Sequence, residues 1–534
     1  MNIWATNKRL HKNIPAFLHI PEAMKYFIVW FTIAASLISV VHAEKPAKAP
    51  TAIIEVPMPV ITTGTNTSLV KVNCTQQAWN FRIAWQKVPP TGKRGLGVLL
   101  AGNRILVTAQ LVADATYIEL EQAESGHKLP AKVLAVDYEA NLALLEATQN
   151  PDGFFAGLKP LTLDSGAHIK DALEVWQLGS VGDLISTPLT INKVQTSRYF
   201  LESSIFLTYE ANGIIRTEGN SFTLPVIRKG KLAGLLLRYN SKDQVASVLP
   251  SPIIEHFLKD IADGNYQGFP GLGVEFHQTL DDQFREYLGM KEGQQGVYVG
   301  LVTKGGSAES IGLKEGDIIL EMNGQKIDVR GNYKDEQFGT LSMSHIVRGK
   351  SFVGDTVNVK ILREGKVQTL NGKLTRKNPK DFLVPPYLFD RGPNYLVQGG
   401  LIFQELSLPY LQSFGEDWEG SAPLRLVHVA KHTDEYEKQG RRKIVFLSAT
   451  LPTNSTQGYE RLGGLIVSKV NEKTINDLTD LDAAFKESKG GIHKIEFEDF
   501  PRIIYLDSIT CESDNLKLQN PTGMYRINHL HRIE

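Results

Sequence analysis

Residues 105–112 read Ile-Leu-Val-Thr-Ala-Gln-Leu-Val, and residues 137–145 read Asp-Tyr-Glu-Ala-Asn-Leu-Ala-Leu-Leu. Each stretch contains a short apolar run that meets polar residues. Similar runs, separated by Gly, Asn and Asp, continue from about residue 78 to residue 260, for example at 98–100, 117–120 and 132–136. Regularly spaced short strands of this kind are typical of an all-β sandwich or barrel. The sequence therefore predicts that this part of the chain is mostly β.

The composition is that of a folded protein with several domains. The chain has 534 residues, of which 42% are hydrophobic and 22% are charged. At roughly 150 residues per domain, this length predicts three or four domains. The 58 Lys and Arg residues balance the 58 Asp and Glu residues. This neutrality argues against a protein that coats nucleic acid, because such binding needs a basic surface.

Residue types that bind metals and cofactors are scarce. The two cysteines, Cys74 and Cys511, exclude a disulfide scaffold and a multi-cysteine zinc site. They lie far apart in the sequence, so a bond between them is not favoured. No phosphate-binding loop, dinucleotide fingerprint or metal-ligand motif occurs in the sequence. We therefore expect no cofactor and no metal.

The N-terminus has the pattern of an export signal. Residues 24–43 read MKYFIVWFTIAASLISVVHA and end on small residues, with cleavage predicted before Glu44. The apolar run of about sixteen residues is short for a membrane span, which needs about 20. A retained anchor is the alternative, and translation begins at either Met1 or Met24. The rest of the chain is then exported to the periplasm or another extracytoplasmic space, and it meets a membrane only if this segment is retained.

Three further motifs accompany the two stretches quoted above. Gly95-Leu-Gly-Val98 precedes them, and Glu218-Gly-Asn-Ser221 and then Gly230-Lys-Leu-Ala-Gly234 follow them. This order resembles the trypsin-fold domain of the HtrA/Deg proteases, in which the catalytic His, Asp and Ser follow one another along the chain. The resemblance implies a trypsin-like double β-barrel over residues 76–265.

The resemblance also locates the catalytic positions, and two of them are substituted. Gln110 lies at the His position, Asn141 follows 31 residues later at the Asp position, and Ser221 follows 80 residues later at the nucleophile position. Gly219 lies at an oxyanion-hole position, but Phe222-Thr-Leu224 replaces the Gly-Gly-Pro of the family. Serine needs a neighbouring base to be a nucleophile, and an amide side chain does not accept its proton near neutral pH. We therefore predict a pseudoprotease.

Other interpretations of these residues stay open. Without the resemblance, Ser221 is a turn serine, and Gln110 and Asn141 are polar residues at strand ends. An active enzyme would need an unrecognised base, for which His127 and His168 are candidates, because a triad is defined by geometry and not by chain order. Solvated loop histidines are the commoner case.

Residues 266–376, here called PDZ1, contain a second set of ordered motifs. Phe269-Pro-Gly-Leu-Gly-Val274 begins the set, an alternating strand follows at 297–302, and Gly312-Leu-Lys-Glu-Gly-Asp and a strand at 354–365 complete it. The set resembles a PDZ domain of the HtrA type. Such domains bind an extended chain end along a strand edge and receive its carboxylate on backbone N–H groups.

The resemblance assigns the binding residues of PDZ1. Gly271, Leu272, Gly273 and Val274 form the predicted carboxylate-binding loop. Leu341 and His345, spaced i and i+4 on a predicted helix near residues 341–348, line the predicted groove. For His345, an ordinary surface helix residue is the alternative.

A weaker repeat predicts a second, divergent PDZ-like domain, here called PDZ2, at 377–510. Residues 316–323 align with residues 464–471, and a helix at 478–485 and a strand at 494–498 follow. Gly399-Gly-Leu-Ile-Phe403 resembles another Gly-led strand. The remaining predicted segments are a signal peptide at 1–43, a linker at 44–75 and a poorly ordered tail at 511–534.

The leading functional prediction is an exported pseudoprotease that binds protein or peptide C-termini, or misfolded proteins, as a scaffold or chaperone. The alternatives are an active serine endopeptidase of protein quality control that uses Ser221, and a chaperone with no use for the barrel cleft. The resemblance implies a homo-oligomer. No nucleic-acid partner is expected.

Overall fold

The structure, a computed structural model, describes residues 60–61, 68–149, 151, 153–179, 182–201, 204–215, 223–519, 524 and 526–530. The predicted signal peptide therefore lies outside the described residues, as do Gly219, Ser221 and Phe222. All of the described elements belong to one compact unit, Pro59–Glu534. In this part of the chain no helix has the length and apolarity needed to cross a membrane.

Two barrels form the N-terminal half. After β1 (Val60–Ile61), six strands close the first barrel in the order β2-β3-β4-β7-β6-β5, with a short helix α1 inserted after β4. Their bounds are β2 (Leu69–Gln76), β3 (Thr91–Leu100), β4 (Arg104–Val107), α1 (Ala109–Val112), β5 (Ala115–Glu121), β6 (Lys128–Asp137) and β7 (Leu142–Ala147).

The second barrel follows directly in the chain. Its sheet has the order β1-β9-β10-β13-β12-β11-β8, and β8 also pairs with β9, so that the six longer strands close on themselves. The elements are β8 (Ala172–Leu178), β9 (Leu184–Arg198), β10 (Ile205–Asn212), β11 (Pro225–Arg228), β12 (Lys231–Asn240), β13 (Val245–Pro250) and the helix α2 (Ser251–Asp260). The double β-barrel predicted from the sequence is confirmed.

The predicted linker at 44–75 ends too late. Residues 69–75 belong to β2, which pairs with both β3 and β5 and is therefore part of the first barrel. Its side chains alternate between buried and half-buried positions, and Val70, Val72 and Cys74 all point into the core. Alternation of this kind is the pattern of a strand with one buried face.

PDZ1 is a mostly antiparallel sheet with short helices. The sheet order is β14-β15-β16-β20-β21, with β17 on β16 and a separate β18–β19 hairpin. The bounds are β14 (Val274–His277), α3 (Asp282–Tyr287), β15 (Val297–Val302), α4 (Ser307–Ile311), β16 (Ile318–Met322), β17 (Gln325–Lys326), β18 (Asn332–Asp335), β19 (Gly339–Ser342), α5 (Ser344–Arg348), β20 (Thr356–Arg363) and β21 (Lys366–Lys373).

The predicted helix at 341–348 is wrong in its first half. Leu341 lies in β19, where it pairs with Tyr333, and α5 begins only at Ser344. Leu341 and His345 therefore do not occupy successive turns of one helix. The extended pairing of the β18–β19 hairpin overrides the local i, i+4 pattern.

PDZ1 shares an apolar core with the second barrel. The ring of Phe269 lies between those of Phe206 in β10 and His256 in α2, with centroid distances of 5.0 and 4.3 Å. His256 also contacts PDZ1 through a hydrogen bond: its Nε2 lies 2.9 Å from the Ser351 carbonyl oxygen. The barrel and PDZ1 are thus held together by buried side chains.

PDZ2 contains the largest sheet, in the order β28-β27-β25-β24-β23-β22-β29, with β26 on β25. Four short helices lie between β23 and β24. The bounds are β22 (Tyr395–Gln398), β23 (Leu401–Glu405), α6 (Leu408–Gln412), α7 (Trp418–Ser421), α8 (Leu424–Lys431), α9 (Thr433–Lys438), β24 (Val445–Thr450), β25 (Leu465–Val470), β26 (Lys473–Thr474), α10 (Leu478–Phe485), β27 (Ile492–Phe497), β28 (Ile503–Asp507), α11 (Ser508–Leu518) and β29 (Asn528–His529).

The predicted tail at 511–534 is largely folded where it is described. The helix α11 buries Cys511 and Asp514, and β29 adds a strand to the edge of the PDZ2 sheet. The polar composition of this segment predicted disorder, but one buried face is enough to hold a helix on a sheet even when most of its residues are polar. Both cysteines are buried free thiols.

Candidate functional site

The two substituted catalytic positions lie next to each other at one end of the first barrel. Gln110 is in α1, and Asn141 is in the turn between β6 and β7. The backbone N–H of Gln110 donates a hydrogen bond to Asn141 Oδ1 over 3.0 Å. Asn141 is buried and has a positive φ of 55°, a conformation that asparagine tolerates better than most residues. The structure therefore brings these two predicted site residues together.

Thr223, two residues after Ser221, anchors the chain beside α1. Its hydroxyl oxygen lies 2.8 Å from the hydroxyl of Thr108 and accepts the backbone N–H of Thr108 at 3.3 Å. Its carbonyl oxygen accepts the N–H of Leu96 at 3.2 Å. Thr223 is fully buried. Ile215, the last described residue before Ser221, is likewise buried in the core of the barrels.

Gln110 lies beside Lys93, whose ammonium group interacts with the Cys74 thiol. The Gln110 carbonyl oxygen accepts hydrogen bonds from Lys93 Nζ and from Gln76 Nε2, each at 3.3 Å. Burial lowers the pKa of Lys93, although Cys74 and Asp114 oppose the shift. Burial raises the pKa of the Cys74 thiol to about 12, so that Cys74 is protonated and unreactive near neutral pH.

Neither histidine considered from the sequence bonds to this pair. His127 lies in the turn between β5 and β6, with its ring 5.5 Å from that of Phe154. His168 is exposed, and its backbone N–H donates to Asp171. Among the described residues, neither is a hydrogen-bond partner of Gln110 or Asn141.

The segment at residues 387–390, near the start of PDZ2, packs against α1 on the same side of the barrel. Tyr387 and Phe389 lie on a small apolar cluster that includes Ala109 and Ala113, which flank Gln110 on the helix, and Tyr138. The Phe389 ring is 4.4 Å from the ring of Tyr138, three residues before Asn141. This segment therefore covers the face of the barrel beside the two substituted positions.

Paired hydrogen bonds hold this segment in place. Asp390 and Asp114 each accept the other's backbone N–H, at 2.9 and 2.8 Å, and Tyr138 donates its hydroxyl to Asp390. Burial raises the pKa of Asp114, with a contribution from the neighbouring Asp390 carboxylate. Tyr138 is also held protonated, because burial and Asp390 both raise its pKa.

The turn that carries Asn141 is tied to PDZ1 by buried charges. Asp137 is fully buried, accepts the hydroxyl of Tyr266 at 2.5 Å and pairs with Arg376 at 3.1 Å. Two residues on, Glu139 pairs with Arg348 of α5, also at 3.1 Å. Burial opposes the charge on Arg376, but Asp137 and Glu139 more than offset it and raise its pKa.

In PDZ1, the predicted carboxylate-binding loop has three consecutive carbonyl groups turned inward. The carbonyls of Gly271, Leu272 and Gly273 accept hydrogen bonds from the Ser307 hydroxyl, the Ala308 N–H and the Thr303 N–H at 2.7, 2.7 and 2.9 Å. In a planar trans peptide the C=O and the following N–H point in opposite directions. The N–H groups of Leu272, Gly273 and Val274 therefore point away from the domain body, which is the arrangement of an anion-binding nest.

The strand that follows this loop lies at the edge of its sheet. β14 pairs with β15, and within the described ranges no other strand bonds to it. Gly273 has a φ of 76°, and a Cβ there would lie 3.3 Å from the Gly306 Cα, so both the turn and the close approach favour glycine. An edge strand that starts at an N–H nest is the geometry of β-augmentation.

The two residues predicted to line the groove are both buried. Leu341 is part of the shared core, and His345 is 4% exposed, with its pKa lowered to about 4 by burial and by Lys350. His345 is therefore neutral near pH 7. Arg348, one turn further along α5, reaches the loop instead: its Nη2 would be 3.9 Å from a Cβ on Gly271.

Two regions of the chain match family models, and two relatives match most of its length. Residues 270–374 and residues 384–524 each match a PDZ domain model. The putative protease Do-like 3, mitochondrial, of Arabidopsis thaliana is 28% identical over 421 residues, which cover 78% of this chain and 71% of the relative. The protease Do-like 2, chloroplastic, of the same organism is 26% identical over 437 residues, covering 81% and 70%. The chain is homologous to serine proteases of the HtrA/Deg family and has two PDZ domains.

A solved HtrA-type structure shows a weaker likeness. The HtrA-type protease AlgW with a decapeptide is 20% identical and has a TM-score of 0.45, covering 59% of this chain and 97% of that one.

Several residues around the candidate site could not be assigned from the sequence. Arg348 was not predicted to contact the loop, because His345 on the same helix fitted the expected i, i+4 spacing with Leu341. Tyr387, Phe389 and Asp390 lie outside any motif, although an aromatic pair between two domains was a signal that they pack on something.

Proposed function

We propose that this chain is an exported pseudoprotease that holds protein C-termini in PDZ1 and acts as a scaffold or chaperone. The observation that carries the first half of the proposal is the adjacent pair Gln110 and Asn141. A serine protease needs a base that takes the proton of the nucleophile and a carboxylate that stabilises the resulting cation. Two amide side chains supply neither.

The size of the expected loss is large. Removing the nucleophile or the base of a serine protease typically lowers kcat on the order of 10⁶-fold. The Phe222-Thr223 sequence adds a further difference, because the bulky residues replace glycines and Thr223 is held by Thr108 and Leu96. We therefore expect no measurable peptide hydrolysis.

The segment at residues 387–390, which covers the barrel face beside Gln110 and Asn141, also supports the absence of proteolysis. Tyr387 and Phe389 pack beside Gln110, and Asp390 is fixed to Asp114 and Tyr138. A substrate that approached Gln110 and Asn141 from this side would have to displace the segment and break these hydrogen bonds.

The binding half of the proposal rests on the three outward N–H groups of PDZ1 and on the open edge of β14. A terminal carboxylate would receive charge-assisted hydrogen bonds from the nest, and the guanidinium of Arg348 would add a positive charge beside it. The chain of the ligand would extend antiparallel to β14. Misfolded proteins that expose an apolar C-terminus are the client class that fits this site.

The alternative function is an active serine endopeptidase that uses Ser221 with a different base. One observation favours it: Lys93 Nζ reaches the Gln110 carbonyl, and burial lowers the pKa of this lysine, which makes it a better proton acceptor. Such an enzyme would react with a fluorophosphonate, and Lys93→Met would abolish the labelling. Lys132→Met, a change at an exposed lysine, is the matched control.

Calorimetry on the full chain tests the binding half. We expect a ten-residue peptide with an apolar C-terminus to bind, and its C-terminal amide to bind about tenfold to hundredfold more weakly. The reason is that the amide loses charge-assisted hydrogen bonds worth about 1.5–3 kcal/mol. Equal affinities for the acid and the amide would contradict recognition of a free C-terminus.

Export and assembly are further parts of the proposal. Export rests on the signal-peptide pattern of residues 24–43. Assembly into a homo-oligomer rests on the resemblance to the family alone, and sedimentation of the mature chain would measure it.

A further inference from the structure

The PDZ2 sheet has two strands, β22 and β29, that the PDZ1 sheet lacks. In PDZ1 the strand after the carboxylate-binding loop, β14, is the edge of the sheet order β14-β15-β16-β20-β21. The matching strands of PDZ2 are β23-β24-β25-β27-β28, but here β23 has a further neighbour, β22, on the side where β14 is open. This is the side on which a PDZ domain adds the strand of its ligand.

β22 runs along β23 as a bound peptide would. The two strands are antiparallel, with Tyr395 opposite Gln404, Leu396 opposite Phe403, Val397 opposite Ile402 and Gln398 opposite Leu401. Leu396 and Phe403 share one buried cluster with Leu481 and Phe485 of the helix α10. β22 therefore fills the space between β23 and α10, which corresponds to the groove between a PDZ strand and its helix.

The end of β22 lies at the place that corresponds to the carboxylate of a bound ligand. In PDZ1 three N–H groups face the place where a chain would end, whereas in PDZ2 the chain continues through Gly399 and Gly400 into β23. Both glycines have positive φ, 61° and 104°. A Cβ on Gly400 would lie 2.9 Å from the Leu451 carbonyl oxygen, and one on Gly399 would lie 2.6 Å from Cys511 Sγ. The loop has become a tight turn that requires glycine at both positions.

The new edge created by β22 is also covered. Val397 donates its N–H to the Ile527 carbonyl at 2.7 Å, and Tyr395 donates its hydroxyl to the Arg526 carbonyl at 2.9 Å. β29 pairs with β22 at Tyr395 and Leu396. A peptide would thus find neither edge of β22 free.

We infer that β22 is a built-in ligand of PDZ2, so that each chain captures a single C-terminus, at PDZ1. This inference deepens the proposed function and rests on it. It makes PDZ2 a structural domain. Its filled groove fixes β22, which begins five residues after Asp390, and so helps to hold the segment at residues 387–390 beside α1.

The stoichiometry of peptide binding tests the inference. The full chain is titrated by calorimetry with the ten-residue apolar-ended peptide in its free-acid form, beside Gly273→Val and the control Gly92→Val, where an added Cβ meets no atom within 4 Å. We expect one peptide per chain in the wild type and in Gly92→Val, and at least a hundredfold weaker binding in Gly273→Val. Two peptides per chain, with one site surviving Gly273→Val, would overturn the inference and leave the proposed function standing. Binding to neither domain would overturn the proposed function while agreeing with a filled PDZ2 groove.

Hydrogen exchange gives an independent readout that does not depend on a variant. Because Val397 donates outward to Ile527, the alternating pattern of an antiparallel pair directs the N–H groups of Leu396 and Gln398 toward β23. We expect both amides to stay protected when the peptide saturates the full chain. Loss of their protection would mean that the peptide displaces β22, and the inference would then be wrong.

Discussion

Arg348 of PDZ1 pairs with Glu139 of the first barrel over 3.1 Å. Arg348 ends the helix α5 beside the carboxylate-binding loop, and Glu139 lies two residues before Asn141. One ion pair therefore joins the peptide-binding end of PDZ1 to the turn that holds a substituted catalytic position. Arg348 Nη1 is in addition buried without a hydrogen-bond partner among the described residues.

The charge of Arg348 beside the carboxylate-binding loop leads to a prediction about binding. Arg348→Met keeps most of the side-chain volume and removes the charge, so the affinity for an apolar-ended peptide should fall about tenfold, in line with about 1.5 kcal/mol for one charge-assisted hydrogen bond. The affinity for the C-terminal amide should change little. Calorimetry on the two peptides measures both, and an equal loss for acid and amide would indicate a merely structural role for Arg348.

Asp137 should be important for stability. Asp137→Asn removes the nearer of the two carboxylates that pair with the buried Arg376 and leaves only Glu139, at 3.5 Å. Breaking a buried pair of this kind costs about 3–5 kcal/mol of the free energy of unfolding. Glu146→Gln, which disrupts the exposed pair with Lys132, should cost about 0–1 kcal/mol. Urea unfolding followed by tryptophan fluorescence compares the two variants. Similar small losses in both variants would show that the buried Asp137 carboxylate contributes little to the free energy of unfolding.

His345 should make PDZ1 less stable in mild acid. Burial, together with Lys350, lowers its pKa from 6.5 to about 4, so the unfolded state binds more protons between these values. The stability contribution is fully present above about pH 6.5 and is lost as the pH falls toward 4, by about 3 kcal/mol in total. The neighbouring Asp335, with a pKa lowered to about 2, titrates below this window.

The matched variants are His345→Gln, which lacks the titrating group, and His168→Gln, at an exposed histidine. Urea midpoints of the two are measured from pH 7 to pH 4. The pH dependence should be reduced in His345→Gln and unchanged in His168→Gln. If both follow the wild-type curve, His345 does not couple protonation to folding.

Restoring the missing triad residues should give little activity. In Gln110→His with Asn141→Asp, the base and its carboxylate would be adjacent, but the Phe222-Thr223 sequence would remain, with Thr223 fixed on Thr108. A poorly formed oxyanion hole costs about 10²–10³ in kcat per lost donor. Casein hydrolysis should therefore stay at least about a hundredfold below that of an active HtrA-type protease assayed alongside. Full activity in the double variant would show that the nucleophile loop is intact.

The elements that the sequence predicted well are those with a strong local pattern. β15 matches the predicted strand at 297–302, and α10 matches the predicted helix at 478–485, residue for residue. In both, the spacing of apolar residues agrees with the face that is buried. The proximity of Gln110 and Asn141 agrees with the resemblance, which assigns them to the paired His and Asp positions of the family.

The elements that were missed depend on contacts between distant parts of the chain. Leu341 belongs to a hairpin with Tyr333, and the local spacing to His345 is the same as that of a helix face. β22 reads as a short apolar strand, but its place beside β23 follows from the Gly399-Gly400 turn and from β29, which is more than 120 residues away. Phe389 packs on Tyr138 across two domains, and no local pattern reports such an arrangement.

Reaction with a fluorophosphonate probe tests the central claim most directly. The full chain is incubated with a fluorescent fluorophosphonate beside Ser221→Ala and an active serine protease, and labelling is measured on a denaturing gel. Because neither Gln110 nor Asn141 activates a serine, we expect the wild type to label no more strongly than Ser221→Ala. Labelling of the wild type that disappears in Ser221→Ala would contradict the account and identify the chain as an enzyme.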